Sequence, residues 1–305
     1  MLAEKLNRYL GLIRFSHTIF ALPFAALATV MAFTTPLPHG GYPAVRIRDL
    51  LGILLCMVFA RSAAMAFNRL VDATIDADNP RTAQRHLPAG LLRQGEVWGF
   101  TLLCGIGFVL STLLFLPNVL PVWASVPVLL FLLGYSLAKR FTAAAHLWLG
   151  LALSLSPLCA WVAIRGETVI QAPSDLLAPL LLSAAVAAWV TGFDIIYACQ
   201  DAEYDARVGL HSVPAKLGVR GGLRVAAISH GVMLVLLAIL PTVGSQAGFG
   251  WLYWLVLVII ASLIIRQHSL VKPNDLDRVN QAFFDTNAAI SMTLLVAGTI
   301  DCLVI

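Results

Sequence analysis

Long apolar stretches separated by short polar ones make up most of this chain. Nine of them approach the roughly 20 residues that a helix needs to cross a lipid bilayer. They lie near 15–33, 49–70, 97–116, 120–138, 146–164, 176–199, 221–241, 249–267 and 282–304. The third and fourth are parted only by a turn at 117–121, the seventh and eighth by a Gly-rich segment at 242–250, and neither turn carries a charge. The segments after the second and sixth stretches are longer and more polar than a minimal turn. Connections of that length usually have a function or are disordered. Apolar and charged residues alternate in them, as at 87–97, which predicts short amphipathic helices capping one end of the protein.

Composition turns these stretches into membrane spans. Hydrophobic residues make up 59% of the 305 and charged ones 12%, with a mean hydropathy of +0.86, whereas about 25% of an ordinary soluble domain is charged. The expectation is one all-α membrane domain over 1–305, nine transmembrane helices around a central cavity with cap loops after the second and sixth. The first stretch is long enough to span and is followed by many more, so it reads as a span rather than a cleaved signal peptide. The five cysteines stand singly, without paired or Cys-x-x-Cys spacing, and read as small packing residues.

Charge decides orientation. If the connections alternate sides, one side holds only Arg46, Arg48 and Arg165, the other holds sixteen basic residues, and Arg61 lies inside the second span. The positive-inside rule then puts the N-terminus and the more basic loops in the cytoplasm. The same rule accounts for the net charge of +4, so no nucleic-acid partner is needed.

Two acidic clusters carry the chemistry. Asn68, Asp72 and Asp76 recur every four residues and share one helix face; Asp201 and Asp205 repeat that spacing, with Asp194 about two turns earlier. One such ladder alone fits a helix end entering water. Two at the same predicted side of a membrane point to a cation, because a carboxylate near hydrocarbon costs about 2.5–3.5 kcal/mol on insertion scales. Mg²⁺ suits them, being held by one or two carboxylates and the phosphate oxygens of a substrate. The clusters also form a weak parallel repeat, offset by four spans, each followed by a Pro-Ala pair: His86-Leu87-Pro88-Ala89 and His211-Ser212-Val213-Pro214-Ala215.

Basic residues near the clusters supply counter-charge for an anion. Arg61 lies seven residues before Asn68 on nearly the same face, Arg81 and Arg85 follow the first cluster, and Lys216 follows the second. Lys139 and Arg140 end the fourth span, one turn after Tyr135. Arginine clamps phosphate through two parallel hydrogen bonds. Arg14 and His17 open the first span, where they suit an anionic or phenolic acceptor. Arg61 lies too deep in its span for snorkelling to explain it; the other basic residues have a plainer reading as ordinary charge at a cytoplasmic helix end, and His17 as a histidine with a local hydrogen bond. A cation transporter is the rival of another class, but acidic residues leading into basic loops point to a metal and an anion together.

Asn68-x-x-x-Asp72-x-x-x-Asp76 with Arg81-Thr82 and Leu87-Pro88-Ala89-Gly90, and Asp194-x-x-Tyr197-Ala198-x-x-Asp201-x-Glu203-x-Asp205, resemble the two signature regions of the UbiA superfamily of intramembrane prenyltransferases. Arg61-Ser62-Ala63 and the stretch from Tyr135 through Lys139-Arg140-Phe141-Thr142 are similar to further landmarks, so the likeness runs the length of the chain. It is greatest to the branch acting on 4-hydroxybenzoate and to relatives acting on naphthoates. Two positions depart: Arg69 stands where many members have Asp, and His86 where they often have Pro or Glu.

The resemblance implies transfer of a polyprenyl group from its diphosphate to an aromatic acceptor for ubiquinone or menaquinone synthesis, in a bacterial-type inner membrane with the site facing the cytoplasm and lipid around the prenyl tail. It implies Mg²⁺ on Asn68, Asp72, Asp76, Asp201 and Asp205. Asp72, Asp194, Asp201 and Lys139 are the expected catalytic residues. Arg14, His17, Arg61, Arg81, Arg85, Tyr135, Arg140, Tyr197 and Lys216 are expected to contact the substrates.

Overall fold

The computed structural model describes residues 2–13, 21–243 and 249–304, and among them the chain is helical throughout, with one isolated β-bridge between Lys272 and Asp275. Eight helices are long and apolar enough to cross a membrane. Each coincides with one of the expected spans. Of the first expected span, at 15–33, the described part is a shorter apolar helix, Leu22–Thr34. In hydrocarbon only a helix satisfies every backbone group within one segment. Hydroxyls on the spans are satisfied the same way, as where Thr29, Thr101, Ser111 and Thr191 donate to the carbonyl four residues earlier at 2.6–2.8 Å.

The helices fall into two compact units. The first comprises the described residues of Met1–Thr18 together with Ile47–Leu137. It holds α1 (Leu2–Leu12), α3 (Ile47–Val71), the short α4 (Ala73–Asp78), α5 (Gln94–Ser111) and nearly all of α6 (Leu120–Ala138). Here α3 and α5 pack through glycine: a Cβ at Gly107 would lie 3.0 Å from the Phe59 ring, and one at Gly52 would lie 2.7 Å from Phe115, in the 3₁₀ turn that follows α5. Leu12, Ala66, Leu70, Leu92 and Val97 bury one another where α1 and α5 meet the end of α3. That cluster braces the first acidic ladder.

The second unit comprises Ile19–Arg46 and Ala138–Ile305. It holds α2 (Leu22–Thr34), α7 (Ala145–Gln171), α8 (Leu177–Ala198), the short α9 (Ala202–Val208), α10 (Val213–Val243), α11 (Trp251–Leu270) and α12 (Val279–Val304). Trp189 on α8 donates to Asn287 Oδ1 on α12 at 3.0 Å, and Gln267 on α11 donates to the same oxygen at 3.2 Å. His230 on α10 reaches the Trp189 carbonyl at 3.3 Å over Gly192, whose missing side chain leaves room for the imidazole.

Arg165 corrects the sequence reading, which put it in a loop. It lies inside α7, at a kink with φ −112° and ψ 17°, and its side chain is fully buried. Its Nε and Nη2 donate to the Asp175 carboxylate at 2.9 and 2.7 Å, and its remaining N–H groups take the carbonyls of Ala32, Thr35 and Pro36 at the end of α2. Trp161 donates to the same carboxylate at 2.9 Å. The guanidinium thus ties α2, α7 and the turn before α8 together.

The expected amphipathic helices at 87–97 are not formed either. The segment 79–92 is a chain of turns, because Pro80 and Pro88 interrupt helical bonding and Gly90 adopts φ 69°. Helix α5 then starts at Gln94, where the Glu96 side chain accepts the Arg93 N–H at 3.0 Å.

Removing one member of a buried ion pair leaves the other uncompensated, a loss of about 3–5 kcal/mol. Asp175→Ala is therefore expected to lower the thermal midpoint of the detergent-solubilised protein far more than Asp277→Ala in the polar 271–278 loop. Equal midpoints for the two variants would remove Arg165–Asp175 as the brace of this unit.

Candidate active site

Helix α3 gives way to α4 at Asp72, which takes φ −93° and ψ 0°. Helical bonding nonetheless runs through the break: the Asp72 N–H donates to the Asn68 carbonyl at 3.1 Å and the Asp76 N–H to the Asp72 carbonyl at 2.8 Å. The three side chains therefore keep the common face that their spacing predicted. Asn68 Nδ2 donates to Asp72 Oδ2 at 3.2 Å, and Asp72 is buried.

Asp76 is engaged differently. Both of its oxygens lie 2.7 Å from Arg85 Nη1, and Arg69 Nη1 lies 3.9 Å from Oδ2. Two guanidinium groups thus neutralise this buried carboxylate. The pairing also secures the 79–85 turns, where Thr82 Oγ1 donates to the Asp76 carbonyl at 3.0 Å and the Arg81 N–H to Asn79 Oδ1 at 3.0 Å. Arg81 itself is exposed. Within the same unit Arg61 is largely buried and in electrostatic range of Tyr135, and its Nε takes no hydrogen bond among the described residues.

The second unit repeats the first motif locally. Asp201 precedes α9 with φ −105° and ψ 5°, close to the conformation of Asp72 before α4. Both lie in the sparsely populated bridge region, where active-site residues recur. The second Asp of each pair then holds the downstream segment: Asp76 through Arg85, Asp205 through the Ser212 hydroxyl. Lys139 acts on Asp205 electrostatically, and its carbonyl accepts the His211 N–H at 2.7 Å. The parallel ends there. Pro88-Ala89 lies in a turn, whereas Pro214-Ala215 lies in the first turn of α10.

Asp194, one turn from the end of α8, meets a residue that the sequence reading missed. His146 Nδ1 on α7 lies 2.7 Å from Asp194 Oδ2. The two are 48 residues apart, so spacing carried no signal; a lone His just after Lys139-Arg140 at the start of a span was the only cue. Tyr197 packs on Phe283 with ring centroids 4.5 Å apart, while Arg140 and Lys216 are exposed. Arg14 and His17 lie outside the described residues.

Among the described residues no three His, Cys, Asp or Glu side chains converge closely enough to hold a metal by themselves. The donors nevertheless suit Mg²⁺, a hard cation that needs only one or two carboxylates and completes its shell with phosphate and water oxygens.

Long apolar helices with carboxylates gathered at the ends of two of them define an integral membrane protein that carries a polar site on an apolar scaffold. The chain belongs to the UbiA prenyltransferase family, whose model matches residues 19–292. It is 30% identical to the 4-hydroxybenzoate octaprenyltransferase of Vibrio parahaemolyticus, over 97% of this chain and 99% of that one, and 29% identical to the enzyme so named from Neisseria meningitidis serogroup B, over 93% and 89%. A solved UbiA homolog from Aeropyrum pernix K1 superposes with a TM-score of 0.79 at 30% identity, covering 93% of this chain and 97% of that one. A UbiA homolog from Archaeoglobus fulgidus bound to DMAPP and Mg²⁺ shares the fold at a TM-score of 0.72 and 16% identity, over 98% and 100% of the two chains.

His86 packs on Gly11 of α1, and its burial together with the charges of Arg69 and Arg8 holds the imidazole below its ordinary pKa of 6.5. The folded chain thus binds this proton less readily than the unfolded one. Its contribution to stability is complete above about pH 6.5 and is lost as pH falls below that value. Thermal midpoints followed from pH 7 down to about pH 5 should decline less steeply for His86→Gln than for the parent. Parallel profiles would mean that His86 does not titrate with unfolding.

Proposed function

We propose that this protein transfers a polyprenyl group from polyprenyl diphosphate to an aromatic acceptor, with 4-hydroxybenzoate the first choice and a hydroxynaphthoate the second. The observation that carries the reading is the matched pair Asp72 and Asp201. Each stands in the bridge conformation at the start of a short helix, with a second Asp four residues on that fastens the loop beyond. The names of the bacterial relatives support the acceptor, and the DMAPP and Mg²⁺ bound by the Archaeoglobus fulgidus homolog support the donor and the metal.

In this reading Asn68, Asp72, Asp201 and Asp205 offer oxygen to Mg²⁺, and Asp76 joins them through the carboxylate that Arg85 now occupies. Bound there, Mg²⁺ supplies positive charge to the diphosphate leaving group. Arg61, Lys139 and the loop residues Arg81, Arg85, Arg140 and Lys216 add fixed positive charge as the allylic C–O bond breaks and the diphosphate departs with its electron pair. Arg61 is well suited, since its buried Nε, which makes no hydrogen bond among the described residues, is a ready donor to an anion. The ring carbon ortho to the phenolic hydroxyl attacks the allylic carbon, and the ring proton leaves to restore aromaticity. Asp194 orients that hydroxyl or receives the proton, Tyr135 and Tyr197 line the substrates, and Arg14 with His17 holds the acceptor carboxylate. The apolar surroundings keep out the water that would turn the allylic cation into an alcohol.

The whole chain acts as one domain of nine spans, Leu22–Thr34 belonging to the first, around a central cavity that is open to the cytoplasm and lets the prenyl tail run into lipid. In membranes supplied with labelled polyprenyl diphosphate and a panel of phenolic and naphthoic acids, product is expected with 4-hydroxybenzoate and should vanish in EDTA. Asp72→Ala and Asp201→Ala are each expected to lose on the order of 100-fold or more in turnover while still inserting in the membrane. Full turnover in EDTA or in either variant defeats the reading.

With Arg165 placed inside α7, only Arg46 and Arg48 remain on the less basic side, and the excess of basic residues on the other supports the cytoplasmic orientation. Single cysteines introduced at Ala83 and Ser174 in a cysteine-free background should react with an impermeant maleimide from opposite sides of sealed vesicles, Ala83 from the cytoplasmic side. Labelling of both from one side rules out the nine-span topology.

A further inference from the structure

The environment of His146 is built rather than incidental. Helices α7 and α8 come close because residue 150 is glycine: a Cβ there would lie 2.6 Å from Thr191 Oγ1 and would collide with the Ala187 carbonyl. One turn before Gly150, that approach puts the His146 ring, whose side chain is only 7% exposed, against Asp194. Nδ1 is 2.7 Å from Asp194 Oδ2, and on the opposite edge of the ring Nε2 accepts the N–H of Val213, the first residue of α10, at 3.3 Å. A backbone N–H can only donate, so Nε2 carries no proton, and the imidazole hydrogen sits on Nδ1 and is given to the carboxylate.

This arrangement fixes both the plane and the free edge of Asp194. Its Oδ2 is held by His146, while Oδ1 takes no hydrogen bond among the described residues and the side chain remains a quarter exposed. The same imidazole links Asp194 to the second acidic cluster. Val213 follows directly on Ser212, which holds Asp205, and the neighbouring His211 N–H is fastened to the Lys139 carbonyl. A histidine needed only to pack α7 on α8 would not require a partly exposed carboxylate on one side and a loop N–H on the other.

We infer that His146 is a positioning residue for Asp194: its Nδ1–H turns the carboxylate so that Oδ1 faces the aromatic acceptor, and its Nε2 keeps that direction in step with the segment carrying Ser212. The inference rests on the acceptor-side role assigned to Asp194 above. It predicts an effect on the chemical step rather than on holding the prenyl diphosphate.

The test uses the full chain in membranes with 4-hydroxybenzoate and a polyprenyl diphosphate. An asparagine amide nitrogen falls near the place of Nδ1 and can still donate to Asp194, whereas glutamine reaches the place of Nε2 and cannot. His146→Ala and His146→Gln are each expected to lose up to about 100-fold in kcat with the diphosphate KM nearly unchanged, and His146→Asn to recover most of that loss. Thermal midpoints of the Asn and Gln variants should agree, so that the difference in rate is not one of folding. Parental kcat in His146→Ala, or equal kcat in the Asn and Gln variants, overturns the inference. A parental rate in Asp194→Asn overturns both it and the role of Asp194 beneath it. An inactive Asp194→Asn beside a fully active His146→Gln overturns this inference alone and leaves the role of Asp194 standing.

Discussion

A charge cannot stay alone among apolar helices, and that constraint organises both units of this protein. A carboxylate or guanidinium without a partner in hydrocarbon costs several kcal/mol, and only the ends of helices have spare backbone groups to offer it. The protein answers in three ways. Arg165 is paired with Asp175 and given three carbonyls at the end of α2. Asp76 is matched by two guanidinium groups. Asp301, fully buried in the last turn of α12, accepts the N–H groups of Gly250 and Tyr253 at 2.8 and 3.0 Å, so the positive end of α11 serves as its counter-charge.

The same constraint separates the acidic residues by role. Asp76 and Asp205 are bound to the chain that follows them, so each fastens a polar segment to the helix end that precedes it. Asp72 and Asp201 occupy the break itself, where the backbone leaves helical geometry and a side chain can be aimed independently of the helix. A ladder of similar carboxylates thus becomes two pairs, each with one member at the helix break and one fastened to the loop that follows. Asp194 is a third kind, oriented across helices by an imidazole.

Close approach of helices makes these pairings possible, and small residues permit it. Without a hydrophobic drive between helices in lipid, packing depends on surfaces that let backbones come together. Gly150 brings α7 onto α8, Gly192 admits His230 beside the Trp189 carbonyl, and Gly298 on α12 lies under Leu27 of α2. Each glycine stands opposite a bulky or polar group that a methyl would displace, so the glycines locate the polar contacts as much as the hydrophobic ones.

Hydropathy and spacing alone determined that the chain is a multi-span helical protein, where eight of its long helices lie, and that two Asp-x-x-x-Asp pairs end two of them. These are local properties: the length of an apolar run and the four-residue recurrence of a face survive whatever the helices pack against. Residues 72 and 201 were legible as a pair for that reason, and the resemblance carried by their motifs reached the family. Only the tertiary structure decided which charges meet. That Arg165 lies inside α7 on Asp175, that Asp76 is taken by Arg69 and Arg85, and that His146 turns Asp194 depend on side chains from different turns and helices, and spacing along the chain does not encode that proximity. The turns at 79–92 were misread for a related reason, because apolar and charged residues alternate there while Pro80, Pro88 and Gly90 govern the backbone. Periodicity reports which face of an element is apolar, but the partner of a buried charge is set by how closely two elements approach, as where Gly150 lets α7 come onto α8 and brings His146 to Asp194, 48 residues away.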